Sequence, residues 1–248
     1  KIGSPKSITV ATAVTSQITA QVSSAQYGGT SLANIDTVLA PYVYMSKEKH
    51  YKVAIEEGVP DPEGYAERRT KKEVYDAFQA LEYELNSLFN SHAQSPFTTL
   101  SFGQGTCWAS REIQKAILEV RLKGLGDGED DITAIFPKLI LFIEEGVNLK
   151  PEDQNYDIKQ LALKCSARRM YPDIVSVKNN KDITGSKTPV TSMGCRSFLS
   201  VWENENGEEI LDGRNNLGVN SVNIPMVALL SDGDMDKFWD ILGEKVEI

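Results

Sequence analysis

From residue 7 to 25 the apolar positions Ile8, Ala11, Val14, Ile18, Val22 and Ala25 recur at steps of three and four, and Gly28-Gly29 follows. That spacing predicts an amphipathic helix with these residues as its apolar stripe. Ser31 or Asn34 is expected to open a second helix through Ile35, Val38 and Leu39, kinked or restarted by Pro41, with a charged, exposed later part from Met45 to Glu57. Asp61-Pro-Glu-Gly64 reads as a turn, and Thr70-Lys-Lys-Glu73 has the spacing of a capping box. Val74, Phe78, Leu81, Leu85 and Leu88 then form a narrow seam, suited to core packing or to a dimer contact.

After Pro96 the period changes. Phe97-Thr-Thr-Leu-Ser-Phe102 is rich in β-formers and leads through Gly103-Gln-Gly105 into a helix carrying Ile113, Ile117 and Val120, which ends near Gly124. Residues 126–131 are acidic and contain glycine, as a surface loop would. Pro137 introduces Leu139-Ile-Leu-Phe-Ile143, apolar on both faces like a buried parallel strand. Asp153 or Asn155 caps a further helix with Ile158, Leu161, Ala162 and Cys165 on one face; Pro172 stops it and Asp173-Ile-Val-Ser-Val177 resumes as strand. Phe198 to Trp202 and Leu217 to Val222 read as two strands joined through Asn204-Glu-Asn-Gly207, with Asn223-Ile-Pro225 ending the second. Alternating strands and helices imply an α/β sheet or barrel behind a helical layer, residues 1–95 forming the layer and 96–248 the α/β part.

Composition narrows the function classes. The 248 residues are 41% hydrophobic and 25% charged, an ordinary globular profile, and the net charge of −9 argues against broad binding to DNA or RNA backbones. Leu139 to Ile143 is too short to cross a bilayer, so no membrane span is expected. The chain starts without methionine or an apolar signal core, and is expected to be a cytoplasmic, internal piece of a longer protein. Three scattered cysteines and two histidines suggest neither a disulfide framework nor a metal site.

The cysteines carry the candidate chemistry. Cys165 sits on an apolar helix face and reads as a small hydrophobe. Cys107, at a helix start where the dipole favours a thiolate, has no histidine near it in sequence and reads as structural. Cys195 lies in Met193-Gly-Cys-Arg-Ser197, a loop with no period that would bury it. Close behind comes Asp212-Gly-Arg-Asn-Asn-Leu-Gly218, whose paired asparagines suit ribose hydroxyls or a small carboxylate, or an Asx turn bonding its own backbone.

Met193-Gly-Cys-Arg-Ser-Phe-Leu199 together with Gly213-Arg-Asn-Asn-Leu-Gly218 resembles the paired signatures of anaerobic (class III) ribonucleoside-triphosphate reductases. Ser4-Pro-Lys-Ser-Ile8, Tyr27-Gly-Gly-Thr30, Leu39-Ala-Pro-Tyr42, Phe78 to Glu84, Phe136-Pro-Lys-Leu139, Tyr156 to Ala162 and Arg169-Met-Tyr-Pro-Asp173 resemble the same family in order. The resemblance implies roughly the first half of a ten-stranded α/β barrel with a central finger loop, preceded by a helical layer. It implies Cys195 as the thiyl residue that takes the ribose 3′ hydrogen, Arg196 and Ser197 beside the substrate, and Asn215 or Asn216 on the ribose or on formate, the reductant. On the helical layer, Gln17, Gln21 and Lys49 become candidates for binding deoxynucleotide or ATP effectors at a homodimer interface. A second active-site cysteine is expected before Lys1, and a glycyl-radical loop with a four-cysteine zinc site after Ile248; a radical S-adenosylmethionine enzyme would install the radical. Met226 departs from the family, where a basic residue is common. Gly103-Gln-Gly105 is a weak candidate for phosphate, with an ordinary turn as the better reading. The isolated segment is expected to be inactive. The rival readings are a nucleotide-binding or dimerisation module without catalysis, and a different glycyl-radical enzyme.

Overall fold

The computed structural model describes residues 3–126, 132–194, 197–215, 218 and 220–247. The chain divides into two units, 1–215 and 216–248. The first contains α1 (Ile8–Ala25), β1 (Thr30–Leu32), α2 (Ile35–Glu56), α3 (Pro62–Ser87), β2 (Thr98–Phe102), α4 (Trp108–Lys123), β3 (Lys138–Ile143), α5 (Tyr156–Arg169), β4 (Asp173–Ser176) and α6 (Val177–Thr184). The four strands form one sheet in the order β1-β2-β3-β4, every pair parallel. Parallel neighbours need crossover connections, which α2 with α3, then α4, then α5 supply.

Strand alternation divides the sheet into two faces. Leu100, Phe102, Leu139 and Leu141 join Ile113, Ile117, Phe78, Leu81, Leu85 and Ile158 in the main core. The opposite face carries Ser31, Thr99, Ser101, Ile140 and Phe142, and on it Ile140 and Phe142 pack with Val177 in a small second cluster. The expected seam on α3 is therefore core: Val74, Phe78, Leu81 and Leu85 are all buried.

Several boundaries differ from the expectation, each for a local reason. The start of α3 is Asp61, whose carboxylate accepts from Gly64 N at 3.0 Å, followed by Pro62. Proline costs nothing at a position whose N–H would be unpaired anyway. Thr70 is thus buried in mid-helix and donates to Ala66 O at 2.7 Å, so it caps nothing. Pro41 lies inside α2, which continues past it, and Asn34 precedes that helix in a left-handed conformation (φ 48°).

Helix α1 forms over the expected span but buries a different face. Ile18 and Val22 are exposed, whereas Thr12, Ser16, Thr19 and Ser23 are buried. Each hydroxyl donates back to a carbonyl three or four residues earlier, at 2.8–3.0 Å. A hydroxyl satisfied inside its own helix no longer needs water, so these small side chains can be buried.

The two-strand reading after residue 197 is corrected. No ladder joins the described parts of 198–202 and 217–222; Leu217 and Val219 lie outside the described residues. The hairpin is shorter and earlier. Glu203 bridges Glu209, Ile210 N donates to Trp202 O at 3.0 Å, and Asn204 Oδ1 accepts from Asn206 N and Glu208 N. Such side-chain acceptance turns the chain at once, before a longer pairing starts.

In the second unit Asn223-Ile-Pro225 opens a helix where a strand end was expected. Asn223 caps α7 (Ile224–Ser231) by accepting from Met226 N at 3.0 Å, and Asp234 caps α8 (Met235–Val246). Met226 is half exposed on α7.

Candidate functional site

The sheet face away from the helices holds the segment that leads into residue 195. Asn180 brackets Val190, accepting from its N at 2.7 Å and donating to its O at 3.1 Å. Ser101 Oγ and Thr191 Oγ1 meet at 2.7 Å, and Ser101 Oγ also accepts from Asn34 N at 3.0 Å. Ser31 Oγ donates to Ser192 O at 2.7 Å. Gly194 (φ 57°) packs against Gly29 so closely that a Cβ on Gly29 would lie 2.6 Å from Gly194 N. Beyond residue 195, Ser197 is exposed and its carbonyl accepts from Met193 N at 2.7 Å, closing an antiparallel bridge.

Cys195, Arg196 and Asn216 lie outside the described residues. Of the remaining candidates, Asn215 is exposed and lines a cavity of about 570 Å³ together with Met193, Asn34, Thr191 and Arg214. The two sequence motifs, at 193–199 and 213–218, thus contribute to one wall although they are separated in the chain. The volume is that of a ligand pocket, which commonly falls at about 300–1,000 Å³. Gln17, Gln21 and Lys49 are exposed on α1 and α2 and do not line it; Ile18 and Val22 do.

Asn34 escaped the sequence reading as a site residue. Asn34 lines this cavity, and its Oδ1 is buried without a hydrogen-bond partner. A helix-opening asparagine was visible in the sequence, but its failure to cap was not: the left-handed backbone turns the amide away from the helix amides. Ser31, Ser101 and Thr191 were also missed. The signal for Ser101 was present, since alternation in Thr98 to Phe102 sets Thr99 and Ser101 on the face opposite Leu100 and Phe102. Beside this segment a smaller cavity of about 150 Å³ is lined by Thr99, Lys138, Tyr171, Asp173, Ser192 and Gly194.

The glycine pair at 103–105 is a turn with its amides occupied. Asp36 Oδ2 accepts from Gly105 N at 2.9 Å, Gly103 N at 3.3 Å and Gln114 Nε2 at 2.6 Å. A carboxylate of the chain itself therefore stands where a phosphate would have stood. Burial pushes the Asp36 carboxyl above the usual carboxylate range, against the opposing pull of those hydrogen bonds. A Cβ on Gly103 (φ 120°) would meet Leu141 Cδ1 and Phe142 O at 2.7 Å, which keeps the turn against β3.

The other two cysteines differ in character. Burial pushes the Cys165 thiol up to about 11, as befits a core residue. Cys107 caps α4, with Ser110 N donating to Sγ at 3.5 Å. Partial burial opposes ionisation there, but the hydrogen bonds of Ser110, Tyr44 and Ala109 together outweigh it and the thiol sits below its ordinary value. Among the described residues no three His, Cys, Asp or Glu side chains stand together as metal ligands, and no helix is long and apolar enough to cross a membrane.

A parallel sheet backed by helices, with a cavity beside the segment that returns across its other face, makes this an α/β protein. The model of the family described as anaerobic ribonucleoside-triphosphate reductase matches residues 1–248, and the chain belongs to that family. It is 58% identical over 252 residues to the anaerobic ribonucleoside-triphosphate reductase of Enterobacteria phage T4, covering 100% of this chain and 41% of the relative. It is 57% identical over 247 residues to that of Escherichia coli K12, covering 99% of this chain and 34% of the relative. The chain thus spans 34–41% of the length of these relatives. Its fold is similar to that of a solved anaerobic ribonucleotide reductase, with a TM-score of 0.59 at 18% identity over 100% of this chain and 37% of that one. The anaerobic ribonucleotide reductase of Thermotoga maritima in complex with dATP and CTP gives a TM-score of 0.54 at 17% identity, over 100% of this chain and 40% of that one.

Proposed function

We propose that, within the whole protein, this chain carries the substrate-attacking half of a ribonucleoside-triphosphate reductase and that the 570 Å³ cavity receives the nucleotide. One observation carries the reading: Met193 and Asn215, from the two motifs, share that cavity. Cys195, two residues beyond Met193, would act as a thiyl radical, having given its S–H hydrogen to the glycyl radical, and take the ribose 3′ hydrogen, which permits loss of the 2′ hydroxyl as water. Sulfur suits this step because the S–H bond formed is similar in strength to the C–H bond broken. Arg196 and Ser197 flank the thiol and hold the substrate. Asn215 or Asn216, with Asn34, offers hydrogen bonds to ribose or to formate, the reductant.

The sheet supplies part of a ten-stranded barrel, with 190–194 as the base of its finger. A glycyl radical, when installed by a radical S-adenosylmethionine enzyme, supplies the unpaired electron. In this reading that glycine, a second cysteine and a zinc site belong to the whole protein, and the isolated chain should be inactive. Gln17, Gln21 and Lys49 belong to a surface on which deoxynucleotide or ATP effectors bind between two copies of the chain.

The decisive experiment is Cys195→Ala in the full-length protein. Turnover of ribonucleoside triphosphates should vanish while glycyl-radical formation, read by electron paramagnetic resonance, persists. Retained turnover would overturn the assignment.

A further inference from the structure

The segment before residue 195 is more heavily tied down than a loop on a sheet surface needs to be. Val190, Thr191, Ser192 and Met193 are all less than a tenth exposed. Three independent elements grip them: Asn180 of α6 holds both polar groups of Val190, Ser101 of β2 meets the Thr191 hydroxyl, and Ser31 of β1 donates to Ser192 O. The gripping residues are themselves held. Ser101 Oγ accepts from Asn34 N, so the amide at the entrance to α2 and the hydroxyl of Thr191 converge on one oxygen. Gly29 then sets the closest approach, because any Cβ there would meet the Gly194 backbone at 2.6–2.8 Å.

From this geometry we infer that Ser101, Thr191 and Ser31 are positioning residues: a hydroxyl seat on the sheet that holds residues 190–194, the run of chain that leads into residue 195. The inference rests on the reading of Cys195 given above. Its physical basis is that hydrogen transfer depends on near-contact of the reacting atoms, and a displacement of ~1 Å costs on the order of 10²-fold in rate. A hydroxyl pair at 2.7 Å fixes its partners to a few tenths of an ångström in a way that apolar contact between the same residues does not.

The two sides of the Ser101 contact play different parts. Ser101 is fully buried on a central strand between β1 and β3, so its oxygen has the position of the sheet. Thr191 belongs to the segment that this oxygen holds. Replacing Thr191 by valine keeps the shape and removes only the hydrogen bond, whereas serine keeps the hydrogen bond and removes only a methyl group. The seat therefore predicts opposite outcomes for two substitutions that a purely steric role would rank the other way.

In the full-length protein, Thr191→Val should lower kcat by about 10- to 100-fold, and Thr191→Ser should restore kcat to within about three-fold of wild type. Ser31→Ala, at the less buried end of the seat, gives a second variant of the same sign if Thr191→Val folds poorly. The alkylation rate of Cys195 by iodoacetamide supplies a readout free of turnover and should change in Thr191→Val but not in Thr191→Ser. Wild-type kcat in both Thr191→Val and Ser31→Ala, or a serine variant no better than the valine one, would overturn the seat. Cys195→Ala run in parallel separates the two ideas: if it retains turnover, the reading of the site itself has failed, independently of the seat.

Discussion

Glu82 Oε2 accepts from Arg121 Nε at 3.1 Å in a place where neither side chain meets water, the carboxylate being 4% and the guanidinium 0% exposed. Arg121 also donates from Nη2 to Pro137 O at 2.6 Å, so the pair ties α3 and α4 to the start of β3. Burial raises the Glu82 carboxyl despite the nearby cation. Removing one partner leaves a bare charge, and Arg121→Ala should lower unfolding free energy by about 3–5 kcal/mol. The double replacement Glu82→Leu with Arg121→Met should cost much less. Denaturant midpoints of the two variants check the ordering; an equal loss would show that packing, not charge, dominates.

Asp36 gives a pH dependence with a definite sign. Its folded carboxyl is raised above the ordinary value of 3.8, so the folded chain holds a proton that the unfolded chain releases. The linked stability is complete below the unfolded value and is lost as pH rises through the folded one. Asp36→Asn keeps an acceptor for the Gly103 and Gly105 amides but cannot titrate. The wild type should lose stability relative to Asp36→Asn as pH rises from about 4 towards neutrality. Parallel stability curves for the two proteins would refute this.

Cys107 and Cys165 should separate cleanly by alkylation. Cys107 is exposed with a lowered pKa, whereas Cys165 is buried with a pKa near 11. Near pH 8, mass spectrometry should find Cys107 modified in the folded protein and Cys165 modified only after denaturation.

Asn34→Gly tests the orphan acceptor in the larger cavity. Glycine keeps the left-handed backbone at φ 48° and removes the amide, whose oxygen has no partner in the protein. Thermal stability should hardly change, while nucleotide affinity should fall by about five-fold, the worth of one net hydrogen bond of ~1 kcal/mol. Unchanged affinity would remove Asn34 from the site.

Much of the sheet and its crossovers was legible in the chain. β2, α4, β3, α5 and β4 were marked by period changes and by Gly124 and Pro172, because each strand or helix there buries one continuous apolar pattern. β1 was not legible, since three residues carry too little alternation to stand out. α3 was read late because Thr70 to Glu73 imitates a cap inside a helix already started by Asp61 and Pro62. The cavity wall was partly legible: the motifs at 193–199 and 213–218 both contribute to it, but the hydroxyls that meet Thr191 and Ser192 come from strands whose polar members gave no sign of what they would face.

Helix α1 has a consequence for how substitutions there will be tolerated. Past its first turn, Thr12, Ser16, Thr19 and Ser23 are turned inward and Ile18 and Val22 outward, so a hydropathy ranking misorders these positions. Enlarging Ser16, which looks conservative on paper, forces bulk into a contact built for small groups. Exchanging Ile18 or Val22 for a polar residue spares the packing but changes the lining of the larger cavity. Variants of this one helix would thus sort into two phenotypes, poor folding from the polar-looking side and altered ligand binding from the apolar-looking one.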